Sequence, residues 1–217
     1  MLPLRDTAPS RKVPIATLSI IALNIIVFVN QIKLPYDQAL DMIYKYAFIP
    51  SRFISGLTNY ESYIPLFTSM FIHGNILHII SNMWSLWLFG DNVEERMGSF
   101  RFIIFYLLTG LIAGFAHLIF NPMSNVPTVG ASGAIAGVMG AYFIMFPHSR
   151  ILTLIPFIPF FIRVPAPIFL LIWFVSQLRS GITGVMGGVA WWAHIFGFLA
   201  GVFLYKKFLK KNKYYTR

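Results

Sequence analysis

Residues 66–89, LFTSMFIHGNILHIISNMWSLWLF, and residues 102–120, FIIFYLLTGLIAGFAHLIF, flank the polar stretch GDNVEERMGSFR at 90–101. A helix of about 20 apolar residues, rising 1.5 Å per residue, crosses a hydrocarbon core of roughly 30 Å. The two runs therefore read as membrane spans joined by a polar turn. Runs of the same kind occur at 13–32, 130–146 and 189–209. A further apolar region at 151–178 is broken by Pro156, Pro159, Pro165 and Pro167, so a short helix starting after Val164 is expected there. The sum is an all-α membrane protein, a bundle of six transmembrane helices. Composition agrees: 57% of residues are hydrophobic, 11% are charged and mean hydropathy is +0.71, against roughly 25% charged residues in an average soluble domain.

The net charge of +10 raises the question of nucleic acid. The positions of the charges answer it, because they cluster at the ends of the spans, where basic residues report orientation in the bilayer. With six spans and both termini on one side, only Lys33, Lys45, Arg52 and Arg179 of the 17 basic residues fall on the opposite side. The expected partner is the lipid bilayer and not nucleic acid, with both termini cytoplasmic. Residues 1–12 then form a cytoplasmic segment, 13–209 the six-helix domain and 210–217 a basic tail. The first span lacks a clean small-residue cleavage site and exceeds the usual apolar core of a signal peptide, so it is read as retained. Such a chain, with no transit-like start, suggests a bacterial cytoplasmic membrane.

There is no cysteine, which removes disulfides, thiolate metal sites and a cysteine nucleophile. The seven acids, Asp6, Asp37, Asp41, Glu61, Asp91, Glu94 and Glu95, all lie outside the expected spans. That argues against an intramembrane aspartate dyad, a carboxylate proton relay and a complete Ser-His-Asp triad. Between the spans, 33–65 is rich in Tyr, Phe and Pro and suits the membrane interface. The stretch NPMSNVPTV at 121–129 reads as a loop, and GITGVMGG at 181–188 as a mobile one.

Polar side chains inside the spans are few. His78, Ser81, Asn82 and Ser85 share one helical stripe, which serves either interhelical hydrogen bonding or a site. His73 and His78 are five residues apart and point about 140° from each other on a helix, which does not suit joint metal ligation. Neither a metal nor another cofactor is expected. Ser132, in Gly130-Ala131-Ser132-Gly133, is either a helix cap or a nucleophile beside backbone N–H groups suited to an oxyanion. His194 is followed on its own face by Gly197 and Gly201, and Gly133 and Gly137 offer a matching small face on the fourth span. Tight packing of those faces would bring Ser132 to His194. A serine beside an imidazole is an activated nucleophile, and without a carboxylate the pair is a dyad.

Taken together, His73-x4-His78-x3-Asn82, GASG at 130–133, AHIFG at 193–197 and VEERMGSF after the second span resemble the rhomboid family of intramembrane serine proteases, across all six spans in order. The resemblance implies Ser132 as nucleophile and His194 as general base. It implies that His78, Asn82 and the Ser132 backbone N–H stabilise the oxyanion, and it places His73 near the site. Substrates would be single-pass membrane proteins approaching near the fifth span and unwinding locally, because a helix hides its carbonyls. Two positions depart from the family pattern. Tyr63-Ile64-Pro65 replaces a Trp-Arg pair, and Ala136 stands where some members place an aromatic against the histidine, leaving Trp191 or Trp192 to orient it. The rival reading is a catalytically inactive rhomboid-like protein that binds transmembrane clients. A transporter would call for an intramembrane charge or a repeat, and neither is evident.

Overall fold

The computed structural model describes residues 2–154, 160–184 and 189–210. Pro156, Pro159, the second half of the glycine-rich 181–188 stretch and the tail beyond Lys210 lie outside the described residues. The long helices are α1 (Ile15–Lys33), α5 (Ile76–Met97), α6 (Ser99–Phe120), α7 (Ser132–Met145), α8 (Ala166–Thr183) and α9 (Trp191–Phe208). Three short ones, α2 (Tyr36–Tyr46), α3 (Pro50–Ser55) and α4 (Pro65–Thr68), lie between α1 and α5. Among the described residues α1, α6 and α8 are long and apolar enough to cross a membrane alone, and Tyr60–Phe71 with α5 is long and apolar enough as a pair, bent by 79°. The protein is a multi-pass integral membrane protein.

Helix α7 is the hub. Every residue from Gly133 to Tyr142 is buried, which is why its sequence shows no polar face. At 14 residues it is about 21 Å long, shorter than the bilayer core, and it runs inside the bundle against α9. The glycines make that approach possible. A Cβ on Gly197 would lie 2.2 Å from the Gly133 carbonyl oxygen, and one on Gly201 would lie 1.9 Å from that of Gly137.

Two boundaries differ from the sequence expectation. The second span does not run unbroken from residue 66. Gly74-Asn75 interrupts it, and Asn75 starts α5 afresh, its side-chain oxygen accepting from His78 N at 2.8 Å. The 90–101 stretch is mostly helix, because α5 continues to Met97 and the turn into α6 is Gly98 alone, at φ 83°. Asp91, Glu94 and Glu95 therefore sit on the last turns of α5. Glu94, 3% exposed, accepts from Ala16 N (2.9 Å), Thr17 N (2.8 Å), Thr17 Oγ1 (2.8 Å) and Ser99 Oγ (2.6 Å). One carboxylate thus caps the start of α1 and holds the start of α6, satisfying donors that helix N-termini leave free.

A small sheet was not expected. Strands β1 (Leu2–Asp6), β2 (Arg150–Leu154) and β3 (Phe161–Pro165) form an antiparallel sheet in the order β1-β2-β3. It ties the chain start to the α7–α8 connection. Asp6 at its edge accepts from Tyr142 Oη of α7 and from Asn92 Nδ2 (3.1 Å) of α5. The α8 helix begins after Val164 as expected, with Pro165 at its N-cap, but at 18 residues it is not short. In the 33–65 region α2 buries none of its side chains in the protein, while Phe48, Phe53 and Leu66 form a separate apolar cluster with Leu111 and Leu118 of α6.

Candidate active site

Ser132 is the first residue of α7, at the mouth of the turn Gly130-Ala131. Gly130 has φ 117°, a conformation that side chains disfavour, and a Cβ there would lie 2.7 Å from the His78 ring. The glycine thus lets the turn lie directly against His78. Gly130 N donates to Ser69 O at 2.8 Å, pinning the turn to the broken start of the second span. His194, in the first turn of α9, lies opposite, and its Nε2 is 2.7 Å from Ser132 Oγ. The sequence placed these two residues on helices with matching small faces, and those faces are in contact.

His78 and Asn82 are one turn apart on α5. Asn82 is 5% exposed, its Nδ2 has no hydrogen-bond partner among the described residues, and it lies 3.6 Å from where a Gly130 Cβ would be. It is a free donor beside the Ser132 turn. The rest of the stripe divides: Ser81 Oγ donates to His78 O (2.9 Å) and Ser85 Oγ to Ser81 O (2.8 Å), so both hydroxyls are spent on their own helix. His73 is fully buried with its ring edge-on to His78 at 5.1 Å, and neither of its ring nitrogens has a partner among the described residues. It receives support through its backbone, whose carbonyl accepts from Gln31 Nε2 of α1 at 2.8 Å.

Ser132, His194, His78 and Gly130 line a cavity of about 990 Å³, with Met70 and His117. His117 of α6 was not singled out from sequence, although a titratable side chain in an apolar span is itself a signal. Gln177 of α8 was also missed; its Oε1 is 2.8 Å from His194 Nδ1. The departures from the family pattern resolve as follows. Ala136 is fully buried close to Gly197, while Trp191 meets His194 edge-on at 6.0 Å and Trp192 instead stacks on Phe120 at 3.9 Å. Tyr63 anchors the first loop by donating to Leu57 O (3.0 Å) and by packing edge-on against Phe53. No three His, Cys, Asp or Glu side chains converge as a metal set among the described residues.

A helical membrane bundle with a serine and a histidine hydrogen-bonded across two glycine-packed helices defines a polytopic membrane protein that carries a Ser–His pair between its helices. The rhomboid-domain family model matches residues 60–211, and the chain belongs to the rhomboid family. Rhomboid protease GluP of Bacillus subtilis is 41% identical over 76 residues, which is 35% of this chain and 14% of that protein. Presenilin-associated rhomboid-like protein A, mitochondrial, of Danio rerio is 29% identical over 116 residues, 52% of this chain and 30% of that protein. Rhomboid protein 1, mitochondrial, of Saccharomyces cerevisiae is 31% identical over 98 residues, 43% of this chain and 28% of that protein. The matched part is thus less than a third of each of these relatives.

Proposed function

We propose that the protein is an intramembrane serine endopeptidase that cleaves transmembrane proteins within or next to the bilayer, with Ser132 as nucleophile and His194 as general base. The observation that carries this is the 2.7 Å contact between Ser132 Oγ and His194 Nε2 beside the unpartnered Asn82 amide. Ser132 Oγ attacks the scissile carbonyl carbon while its proton passes to His194 Nε2. The oxygen of the tetrahedral intermediate takes up negative charge where the Ser132 N–H, the Asn82 amide and the His78 imidazole can donate to it. The N–H of a first helical residue has no partner within its helix, which leaves it free for this role. Collapse breaks the C–N bond, and the leaving amine takes the proton back from His194. A water then attacks the acyl-serine, giving its proton to the same nitrogen; the C–Oγ bond breaks, Ser132 Oγ takes that proton back, and the acid product leaves.

Substrates are single-pass membrane proteins, admitted beside α8. That helix fully buries only Ala166, Phe169, Leu170 and Gln177, and residues such as Ile168, Leu171, Ile172 and Val175 leave an exposed apolar face along it. With α7 and α9 as the remaining spans the arrangement is six-spanning, and the distribution of basic residues favours both termini on the cytoplasmic side. The name of the Bacillus subtilis relative, a rhomboid protease, supports the reaction class.

The test is cleavage of a tagged single-pass substrate in liposomes by wild type, Ser132→Ala and His194→Ala, without added metal. Cleavage by wild type and its loss in both variants, with melting unchanged, is the expected result. Cleavage surviving Ser132→Ala refutes the mechanism. Substrate binding without cleavage by wild type replaces it with the inactive client binder.

A further inference from the structure

His194 is held from two sides. Its Nε2 faces Ser132 Oγ, and its Nδ1 faces Gln177 Oε1 at 2.8 Å. Gln177, 7% exposed, is the one polar side chain among the four that α8 buries. The hydrogen bonds around it run in one direction. Trp173 O can only accept, and Ser176 Oγ donates to it at 2.6 Å, which leaves the Ser176 oxygen to accept from Gln177 Nε2 at 2.9 Å. Gln177 Nε2 also reaches Trp173 O at 3.3 Å. The amide NH2 is therefore committed to its own helix, and Oε1 is turned to the imidazole. An amide oxygen accepts and does not donate, so Nδ1 carries the proton and Nε2 is the bare nitrogen that faces the serine hydroxyl.

We infer that Gln177 is a positioning residue that fixes the tautomer and the plane of His194 for proton transfer from Ser132, a role resting on the Ser132–His194 reading above. Soluble serine hydrolases give this role to a carboxylate. A neutral amide accepts the same Nδ1–H without placing a charge at membrane depth, where charge is costly. The need for such a partner is visible on α7. Ala136 offers no ring to stack on the imidazole, and Trp173 and Trp191 approach it only at 6.1 and 6.0 Å between centroids. Because Gln177 belongs to α8, the dyad is correctly oriented only while α8 is seated on α9.

The test uses purified full-length protein in detergent, with Gln177→Leu and Gln177→Glu beside wild type. Nitrogen-15 NMR of the histidine rings, with the His194 signals assigned by His194→Ala, should find Nδ1 protonated and Nε2 bare in wild type, and this preference lost in Gln177→Leu. Cleavage by Gln177→Leu should fall on the order of 10- to 100-fold in kcat with little change in KM, part of the roughly 10²- to 10⁴-fold that general acid–base catalysis supplies. Gln177→Glu, which still presents an oxygen to Nδ1, should recover part of that loss. A proton on Nε2 in wild type, or wild-type kcat in Gln177→Leu, overturns the proposal, and the first readout stands even if the leucine variant misfolds. A serine-directed fluorophosphonate probe separates the two readings. Wild type that neither labels nor cleaves overturns the protease reading and this role with it, whereas labelling and cleavage indifferent to Gln177→Leu overturn this role alone.

Discussion

Replacing Gly197 by alanine tests whether close helix approach builds the site. The new Cβ would lie 2.2 Å from the Gly133 carbonyl oxygen, and Cβ atoms essentially never come within 3.0 Å of such a neighbour. The obstacle is backbone, so it cannot rotate away, and α9 must retreat from α7 by about 0.8 Å. Gly133 is next to Ser132 and Gly197 is one turn from His194, so the retreat acts on the 2.7 Å Ser132–His194 contact with little leverage lost. That contact would open to about 3.5 Å, beyond the roughly 2.6–3.2 Å reach of a general base. Misplacement of about 1 Å costs on the order of 10²-fold in rate, and overpacking of this kind costs about 1–3 kcal/mol in stability. The assay is cleavage rate against melting temperature in one detergent, with Gly114→Ala as control, since a Cβ there meets nothing within 4 Å. Wild-type rate and melting in Gly197→Ala would refute the argument that glycine contact sets the dyad distance.

Two further outcomes concern the opposite end of the bundle. Glu94→Ala strands the Ala16 and Thr17 N–H groups and two hydroxyls, and at about 1–3 kcal/mol per unsatisfied buried group it should cost roughly 3 kcal/mol or more; denaturant titration in micelles showing under about 0.5 kcal/mol would contradict this. Burial raises the Asp6 carboxyl above its usual 3.8, opposed by the hydrogen bond from Tyr142. The folded protein therefore binds this proton more tightly than the unfolded chain does, so the contribution to stability is full below about 3.8 and lost as pH rises through the raised value. Asp6→Asn removes that dependence. Its melting temperature should gain on wild type as pH rises from about 4 to 7, and a constant difference would count against the assignment.

The helices were legible because a bilayer demands long apolar runs, and the Ser132–His194 meeting was legible because small residues recur on matching faces of two spans. The interruption at Gly74-Asn75 was written in the sequence as a turn pair, but the apolar residues on either side of it read as one run. Strands β2 and β3 escaped notice for a different reason. RILTL alternates buried and less buried positions, yet five residues of alternation carry little weight inside a proline-broken apolar region, and its partner β1 lies near the chain start. His117 is a single polar residue in an apolar run, and Gln177 lies in the polar end Ser176-Gln177-Leu178-Arg179-Ser180 of another, with no period to mark either. Their significance comes from what they face across the bundle, and one-dimensional spacing does not encode that.

The sheet also has a consequence in time. Leu2 pairs with Leu154 and Asp6 with Ile151, so the first strand waits through about 150 residues of synthesis for its partner. At roughly 5–20 residues per second, that interval is about 8–30 s. During it the segment 2–6 lacks its β2 partner, and α7 is made before β2 emerges. Closure of the sheet thus waits for β2 and β3, which are made after α7 and before α8 and α9, and it ties residues 2–6 to the connection from which those last two helices extend.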